Sequence, residues 1–341
     1  MDNILHEVTS LNSANLIDPF GRHIDYVRIS VTDRCDFRCT YCMDEDVTFL
    51  PRKDILSLEE IVNVAQTFIK LGSKRIRITG GEPLVRKNIL WALEQISNTP
   101  GLEELTLTTN GSQLKKMAKS LYDVGVTRIN VSLDTLEPEL FERITRRDQF
   151  HQVVEGIDEM TQYEFKRNKI NSVILKKHND HEVADLARFA LERNMDISFI
   201  EEMPLGVITD HDRAEAYISS DEVISILENH FTLTPSELKT SGPSTYFDVK
   251  NYQGHVGIIS PHSHNFCATC NRIRLTAEGR LLLCLGNEHS MDLKPYLRTP
   301  EAQEISLDEA ITQSLALKPE KHHFNLNEEP QILRFMSATG G

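Results

Sequence analysis

The sequence predicts an α/β fold built on parallel strands, followed by a smaller carboxy-terminal region. Apolar, β-branched runs alternate with stretches of helical period over residues 26–200, the loops between them are short, and the rhythm stops near residue 201. At 341 residues, with 40% hydrophobic and 26% charged side chains, the chain is long enough to bury a sizeable core.

The strand candidates are Tyr26–Val31, Arg75–Thr79, Glu104–Thr108, Arg128–Leu133, Lys169–Val173 and Ile197–Ile200. The clearest helix between them is Ser57–Leu71, which gathers Ile61, Val62, Ala65, Phe68 and Ile69 on one face. Ser57 and Glu60 form a capping-box pattern at its start, and Gly72 follows its end. Asp180 is placed to cap the helix that runs to about Arg193. Such repetition implies parallel strands joined by right-handed crossovers. Six units are too few for an eight-stranded barrel, and periodicity alone leaves a partial barrel and a doubly wound sheet both open. Residues 201–218 read as loop, and Ser219 with Glu222 caps a helix through His230. From Leu233 the chain is richer in Pro, Gly, His and Cys, which divides it into a core, 1–232, and a region 233–341 packed on it.

Charge narrows the partners. Lys+Arg 37 against Asp+Glu 51 leaves −14, an acidic balance that argues against a duplex nucleic-acid partner. A small anion remains compatible, because a few arginines can line a pocket inside an acidic shell. No apolar run approaches the roughly 18 residues of a membrane helix, and the opening residues carry no secretory pattern. The expectation is a cytoplasmic protein with no membrane contact, in which six cysteines serve as metal ligands or catalysts rather than disulfides.

Cys35, Cys39 and Cys42 stand in a C-x₃-C-x₂-C spacing on the loop after the first strand. Three thiolates wrapped around a 4Fe–4S cube leave one iron with an open position, whereas a structural zinc wants a fourth ligand that this loop lacks. Cys267, Cys270 and Cys284 form a second trio around an Arg272–Arg274 strand, a turn and a return strand. With Ala277–Gly279 as a three-residue hairpin loop, Cys284 faces Arg272 across the ladder, and Cys270, Arg272 and Arg274 share a face. By spacing alone a zinc hairpin is an equal alternative here, with His262, His264 or His289 as fourth ligand. Other chemistry-bearing residues fall at strand ends: Gly81 and Glu82 after the second, Thr108 to Asn110 at the third, Ser132 and Asp134 at the fourth, Met203 after the sixth. A barrel keeps its functional loops at those carboxyl ends.

The first cysteine loop, with Tyr41 inside it, and the Gly80-Gly81-Glu82-Pro83 turn after the second strand together resemble the radical S-adenosylmethionine (SAM) superfamily. The stretch NFCATCNRIRLTAEGRLLLCLGNEH and the terminal Gly340-Gly341 resemble, more narrowly, the GTP 3′,8-cyclase family of molybdenum cofactor biosynthesis, from about residue 20 to the end. The resemblance implies an incomplete (β/α)₆ TIM-type barrel whose carboxy-terminal region carries a second iron–sulfur cluster. It implies a 4Fe–4S cluster on Cys35, Cys39 and Cys42 that binds SAM, contacted also by Tyr41, Gly81, Glu82, Ser132 and Met203. It implies a second 4Fe–4S cluster on Cys267, Cys270 and Cys284 that binds guanine, with Arg28, Arg77, Thr108, Lys169, Arg272 and Arg274 holding GTP. A 5′-deoxyadenosyl radical would remove the C3′ hydrogen of GTP, and the carbon radical would attack guanine C8 to give 3′,8-cyclo-7,8-dihydro-GTP. Gly340 and Gly341 would reach the active site as a tail required for activity, although Thr339 stands where a larger apolar residue is expected. A reduced flavodoxin-type electron donor, a homodimer, and delivery of the product to cyclic pyranopterin monophosphate synthase are further implications. Two competing readings share less of this: a peptide-modifying radical SAM enzyme needs no row of phosphate-binding cations, and a zinc-ribbon interaction module predicts stoichiometric zinc.

Overall fold

The computed structural model describes residues 16–43, 46–206, 208, 210–326, 332 and 334–340. The β-branched runs become β1 (Tyr26–Ser30), β2 (Arg75–Thr79), β3 (Glu104–Thr109), β4 (Arg128–Ser132), β5 (Arg167–Ile174) and β6 (Asp196–Glu201). They pair in chain order, each parallel to the next. The crossovers are helical: α1 (Leu58–Lys70), α2 (Ile89–Ser97), α3 (Leu114–Asp123), α4 (Pro138–Thr145) with α5 (Phe150–Met160), and α6 (Val183–Leu191). Val27, Ile29, Ile76, Ile78, Leu107, Ile129, Val131 and Ile197 are fully excluded from solvent in one continuous core with apolar residues of these helices.

Ser57 caps α1 as expected: its Oγ accepts from Glu60 N at 3.1 Å, and the Glu60 carboxylate accepts from Ser57 N at 2.7 Å. Ser219 and Glu222 form the same box on α8 (Ser220–Glu228), which follows the short α7 (Arg213–Ala216) and ends before His230. Asp180 does not cap a helix. It opens a 3₁₀ turn, Asp180–Glu182, and α6 starts only at Val183 with no side-chain cap.

After residue 232 the chain extends both edges of the same sheet. β7 (Leu233–Pro235), β8 (Thr245–Val249) and β9 (His255–Ile259) form an antiparallel run whose last strand adds parallel to β6. β10 (Arg272–Leu275) adds parallel to β1 and leads into antiparallel β11 (Arg280–Leu282) and β12 (Ser290–Asp292). The result is a mixed, open sheet of 12 strands ordered β12-β11-β10-β1-β2-β3-β4-β5-β6-β9-β8-β7. Short helices α9 (Lys294–Arg298), α10 (Leu307–Ser314) and α11 (Met336–Thr339) complete the chain. Arg298 of α9 reaches Glu60 at 2.7 Å, which ties the carboxy-terminal region to the cap of α1. Among the described residues no helix is long and apolar enough to cross a membrane.

Replacing Ser57 by Ala removes the acceptor for Glu60 N and leaves the Glu60 carboxylate as a one-sided cap. The expected loss is about 1 kcal/mol, read as a lower denaturation midpoint with unchanged slope.

Candidate active site

The register of the parallel strands builds the site. Arg274 of β10 lies beside Arg28 of β1, and Arg28 lies beside Arg77 of β2, so three guanidiniums stand in one row across adjacent strands. All three line a central cavity, which Thr108, Lys169 and Arg272 also face. Arg77 donates to Thr108 Oγ1 at 3.4 Å, and the Asn130 side-chain oxygen, turned toward it, accepts at 2.8 and 3.2 Å. Lys169 Nζ is held by Ser198 Oγ at 3.1 Å, Tyr246 Oη at 3.3 Å and Ser244 Oγ at 3.4 Å, all uncharged partners. Burial, and then Arg274 and Arg77, hold Arg28 well below the ordinary guanidinium range; burial and Arg272 push Arg274 down to about 10. Burial also lowers Lys169, and Arg77 and Arg128 add to that. Cations so placed favour an incoming polyanion.

The first thiol trio sits beyond the carboxyl end of β1. Its loop is pinned from several sides: Arg38 N and Thr40 N donate to the carbonyls of Thr145 and Ile144, and Asp36 accepts from Asn110 Nδ2 at 2.7 Å and Ser112 Oγ at 2.6 Å. Tyr41 Oη donates to Asp134 Oδ2 at 2.5 Å, joining the loop to the end of β4. Burial pushes the Asp134 carboxyl up to about 6. Asp36 and Asp134 therefore organise this loop, and sequence reasoning assigned Asp36 no role because a lone acidic residue between cysteines carries no pattern.

Gly81 packs against that loop so closely that a Cβ would overlap the Arg34 carbonyl, a backbone contact that cannot yield. Glu82 departs from the expected SAM contact. Its side chain is fully buried and does not line the cavity; it accepts from Leu84 N at 2.9 Å, Thr109 Oγ1 at 2.8 Å and Asn110 N at 2.7 Å. Burial pushes it up to about 8. Glu82 thus braces the turn that carries Gly81, because its carboxylate is fully engaged by neighbouring donors. Tyr41, Gly81, Ser132 and Met203 do face the cavity, as do all six cysteines.

The second trio lies at the other end of the strands, since Arg272, which follows Cys270 closely, pairs with Tyr26 at the start of β1. The hairpin has the expected three-residue loop: Thr276 N donates to Arg280 O at 2.9 Å, and Gly279 takes φ +91°. Arg274 pairs with Leu282, and that register, continued past the strand end, leads Cys284 to the level of Arg272. Two of the three candidate fourth ligands are engaged elsewhere: His262 Nε2 with Glu202 O at 2.8 Å, and exposed His264 with Asp221 at 3.1 Å. The histidine that meets a thiol is His322, whose Nδ1 lies 3.0 Å from Cys267 Sγ. It lies 55 residues away in a segment without strong local pattern, so nothing in the sequence singles it out.

Neither trio brings its three sulfurs within 4.8 Å of one another; among the described residues only Glu137, His181 and Glu182 converge that closely.

The carboxy-terminal tail enters the same site. Ile332 pairs with Leu205, beside the loop that carries Met203, and Met336 lines the cavity. The Gly340 carbonyl accepts from Arg274. Gly340 has φ +76°, and a Cβ there would lie 2.7 Å from Thr79 Cγ2 and 3.1 Å from Ser30 Cβ. Thr339 is buried, with its Oγ1 satisfied by Met336 O at 3.0 Å, so a polar residue fits where an apolar one is expected. Gly341 lies outside the described residues.

Residues 29–190 match the family model of the Radical SAM superfamily, and residues 195–324 match Molybdenum Cofactor Synthesis C. A curated relative from Pseudomonas putida (strain KT2440), named GTP 3′,8-cyclase, is 57% identical over 331 residues, 97% of this chain and 99% of its own. One of the same name from Saccharophagus degradans is 55% identical over 97% of this chain and 100% of its own. Among solved structures, Streptococcus suis SuiB bound to S-adenosylmethionine superposes with a TM-score of 0.59 at 15% identity, over 93% of this chain and 78% of that one. At that identity the likeness concerns the fold alone.

Gly340→Ala is expected to unseat the tail. The left-handed backbone alone costs a non-glycine residue roughly 1–2 kcal/mol, before the contact with Thr79 and Ser30 is counted. Carboxypeptidase digestion followed by mass spectrometry should show faster trimming of the variant than of the wild type.

Proposed function

The chain belongs to the GTP 3′,8-cyclase family of radical SAM enzymes, which act in molybdenum cofactor biosynthesis, and we propose that its cavity holds GTP and SAM together between two 4Fe–4S clusters. The observation that carries this reading is the Arg274–Arg28–Arg77 row, set in the wall of a cavity that both thiol trios also line. A triphosphate brings negative charge to this row, and arginine forks bind phosphate oxygens bidentately.

On this reading the open sheet is an incomplete (β/α)₆ barrel, and the boundary near residue 232 separates its core from a carboxy-terminal region that shares the sheet. Cys35, Cys39 and Cys42 hold the SAM-binding cluster, and Cys267, Cys270 and Cys284 hold the substrate-binding one. The first cluster, when bound, supplies the electron that cleaves SAM to a 5′-deoxyadenosyl radical. The chain's own residues do the positioning. Tyr41 and Asp134 fix the first cysteine loop, Gly81 allows the following turn to close on it, and Ser132 and Met203 face SAM. Arg28, Arg77, Lys169, Arg272 and Arg274 fix GTP so that its C3′ hydrogen meets the radical and guanine C8 lies within reach of C3′. Exact placement governs the outcome, because a misplaced radical attacks the wrong carbon. Gly340 packs the tail against Arg274, and Gly340 with Gly341 forms the tail that activity requires. A reduced flavodoxin-type donor, a homodimer and hand-over of the product to cyclic pyranopterin monophosphate synthase complete the reading, as does a cytoplasmic location.

Protein purified and reconstituted without oxygen should hold about eight irons per chain and release 5′-deoxyadenosine in a GTP-dependent manner, with GTP consumed. Zinc in place of iron, or SAM cleavage indifferent to GTP, would contradict the reading. Arg28→Ala should lower kcat/KM for GTP by roughly ten- to a hundredfold, the equivalent of about 1.5–3 kcal/mol for a charged hydrogen bond, with iron content preserved.

A further inference from the structure

The two thiol trios differ in the charge of the groups beside their sulfurs. At the first, Cys35 Sγ lies 3.9 Å from Asp36 Oδ1 and accepts from Phe37 N at 3.4 Å and Asn110 Nδ2 at 3.7 Å, so its donors are neutral and its charged neighbour is acidic. The nearby guanidinium of Arg38 is spent on the carbonyls of Cys35 and Phe37. At the second trio the neighbours are donors and cations, and two of them come from one short segment after α10. Lys318 Nζ lies 3.7 Å from Cys270 Sγ and donates to the carbonyls of Arg272 at 3.1 Å and Leu283 at 2.6 Å. Four residues later, His322 Nδ1 lies 3.0 Å from Cys267 Sγ, with its Nε2 held at Pro261 O, 3.0 Å. A thiolate ligand and a carbonyl both only accept, so with Nε2–H donating to Pro261 O, His322 meets both partners in its two-donor, cationic form.

The segment is built to be held there. Arg22, itself paired with Asp18 at 2.5 Å, donates at once to the carbonyl of Cys267 at 2.8 Å and to those of Pro319 and Glu320 at 2.7 Å each. A Cβ at Gly286 would lie 2.7 Å from His322 Cβ and 2.8 Å from the Phe324 ring, so the absent side chain lets the strap close over the loop after Cys284. Lys318 and His322 are buried, and neither makes an ion pair with a carboxylate among the described residues.

We propose that Lys318 and His322 are positioning residues that raise the reduction potential of the second cluster above that of the first, by donating to two of its three cysteine sulfurs. Hydrogen bonds and positive charge at the ligand sulfurs stabilise the reduced, more negative state of a cluster, and carboxylates beside the sulfurs do the reverse. The first cluster is thereby left as the stronger reductant, as reduction of a sulfonium demands, while the substrate-binding cluster takes up an electron more readily. The inference rests on the reading of the second trio as an iron–sulfur site.

The test is an anaerobic redox titration of reconstituted full-length protein, followed by electron paramagnetic resonance, without GTP or SAM. Iron is counted first: about four irons with zinc at the second trio would sink the two-cluster reading itself, and the tuning proposal with it. With about eight, the second cluster should reduce before the first. His322→Leu and Lys318→Met should each move the second cluster to lower potential and leave the first where it is. His322→Asn, which restores an N–H donor near Nδ1, should recover part of the shift, and Lys318→Arg, which keeps the charge, most of it. An unchanged second potential in the Leu and Met variants overturns the proposal. So does loss of the second cluster in all four variants, which would make these residues builders of the site rather than tuners of it.

Discussion

Three arginines side by side on adjacent parallel strands are the constraint on which the rest of this structure depends. Parallel pairing with a period of two gives each strand one row for the core and one for the cavity, and Arg274, Arg28 and Arg77 fall together on the cavity row. Burying like charges in contact costs several kcal/mol for each ion. The opposite row offsets it: Val27, Ile29, Ile76 and Ile78 are fully excluded from water against the crossover helices, each contributing roughly 1.5–3 kcal/mol. The fold can thus hold a row of cations in the wall of its cavity.

The same strands present different chemistry at their two ends. Beyond their carboxyl ends, loops after β1 to β4 converge, and Glu82, Asp36 and Asp134 lock those loops together with the first cysteine trio. At the opposite end no crossover loop supplies ligands. The carboxy-terminal region does so by adding β10 to β1, which brings Cys267, Cys270, Arg272 and Arg274 to the cavity in a single short segment. The tail then returns past Leu205 and ends its described course at Gly340 against Arg274. An acidic chain thereby concentrates buried cations around one cavity.

Much of this was legible in the sequence, for local reasons. β1 to β6 lie within a few residues of the expected strands because β-branched residues recur on their core row, as Ile76 and Ile78 do between the arginines of β2. The hairpin after Arg274 could be registered because Gly279 is the residue that a three-residue loop needs in the left-handed region. What escaped is long-range. The pairing of β10 with β1 and of β9 with β6 has no local signature, so the carboxy-terminal part read as a region packed on the sheet rather than as its two edges. Glu82 sits in a motif, yet the direction of its side chain is set by Thr109 and Asn110, far along the chain. Lys318 and His322 lie in a segment whose only local features are proline and charge, and their meaning comes from the sulfurs they reach.

The central claim is that one cavity brings the ribose of GTP to the adenosyl group of SAM. GTP carrying deuterium at C3′ tests it most directly, with the 5′-deoxyadenosine formed in a single turnover analysed by mass spectrometry. The account predicts that one deuterium appears in 5′-deoxyadenosine. 5′-Deoxyadenosine formed without the label, with the deuterium still at C3′ of the nucleotide recovered, would contradict it.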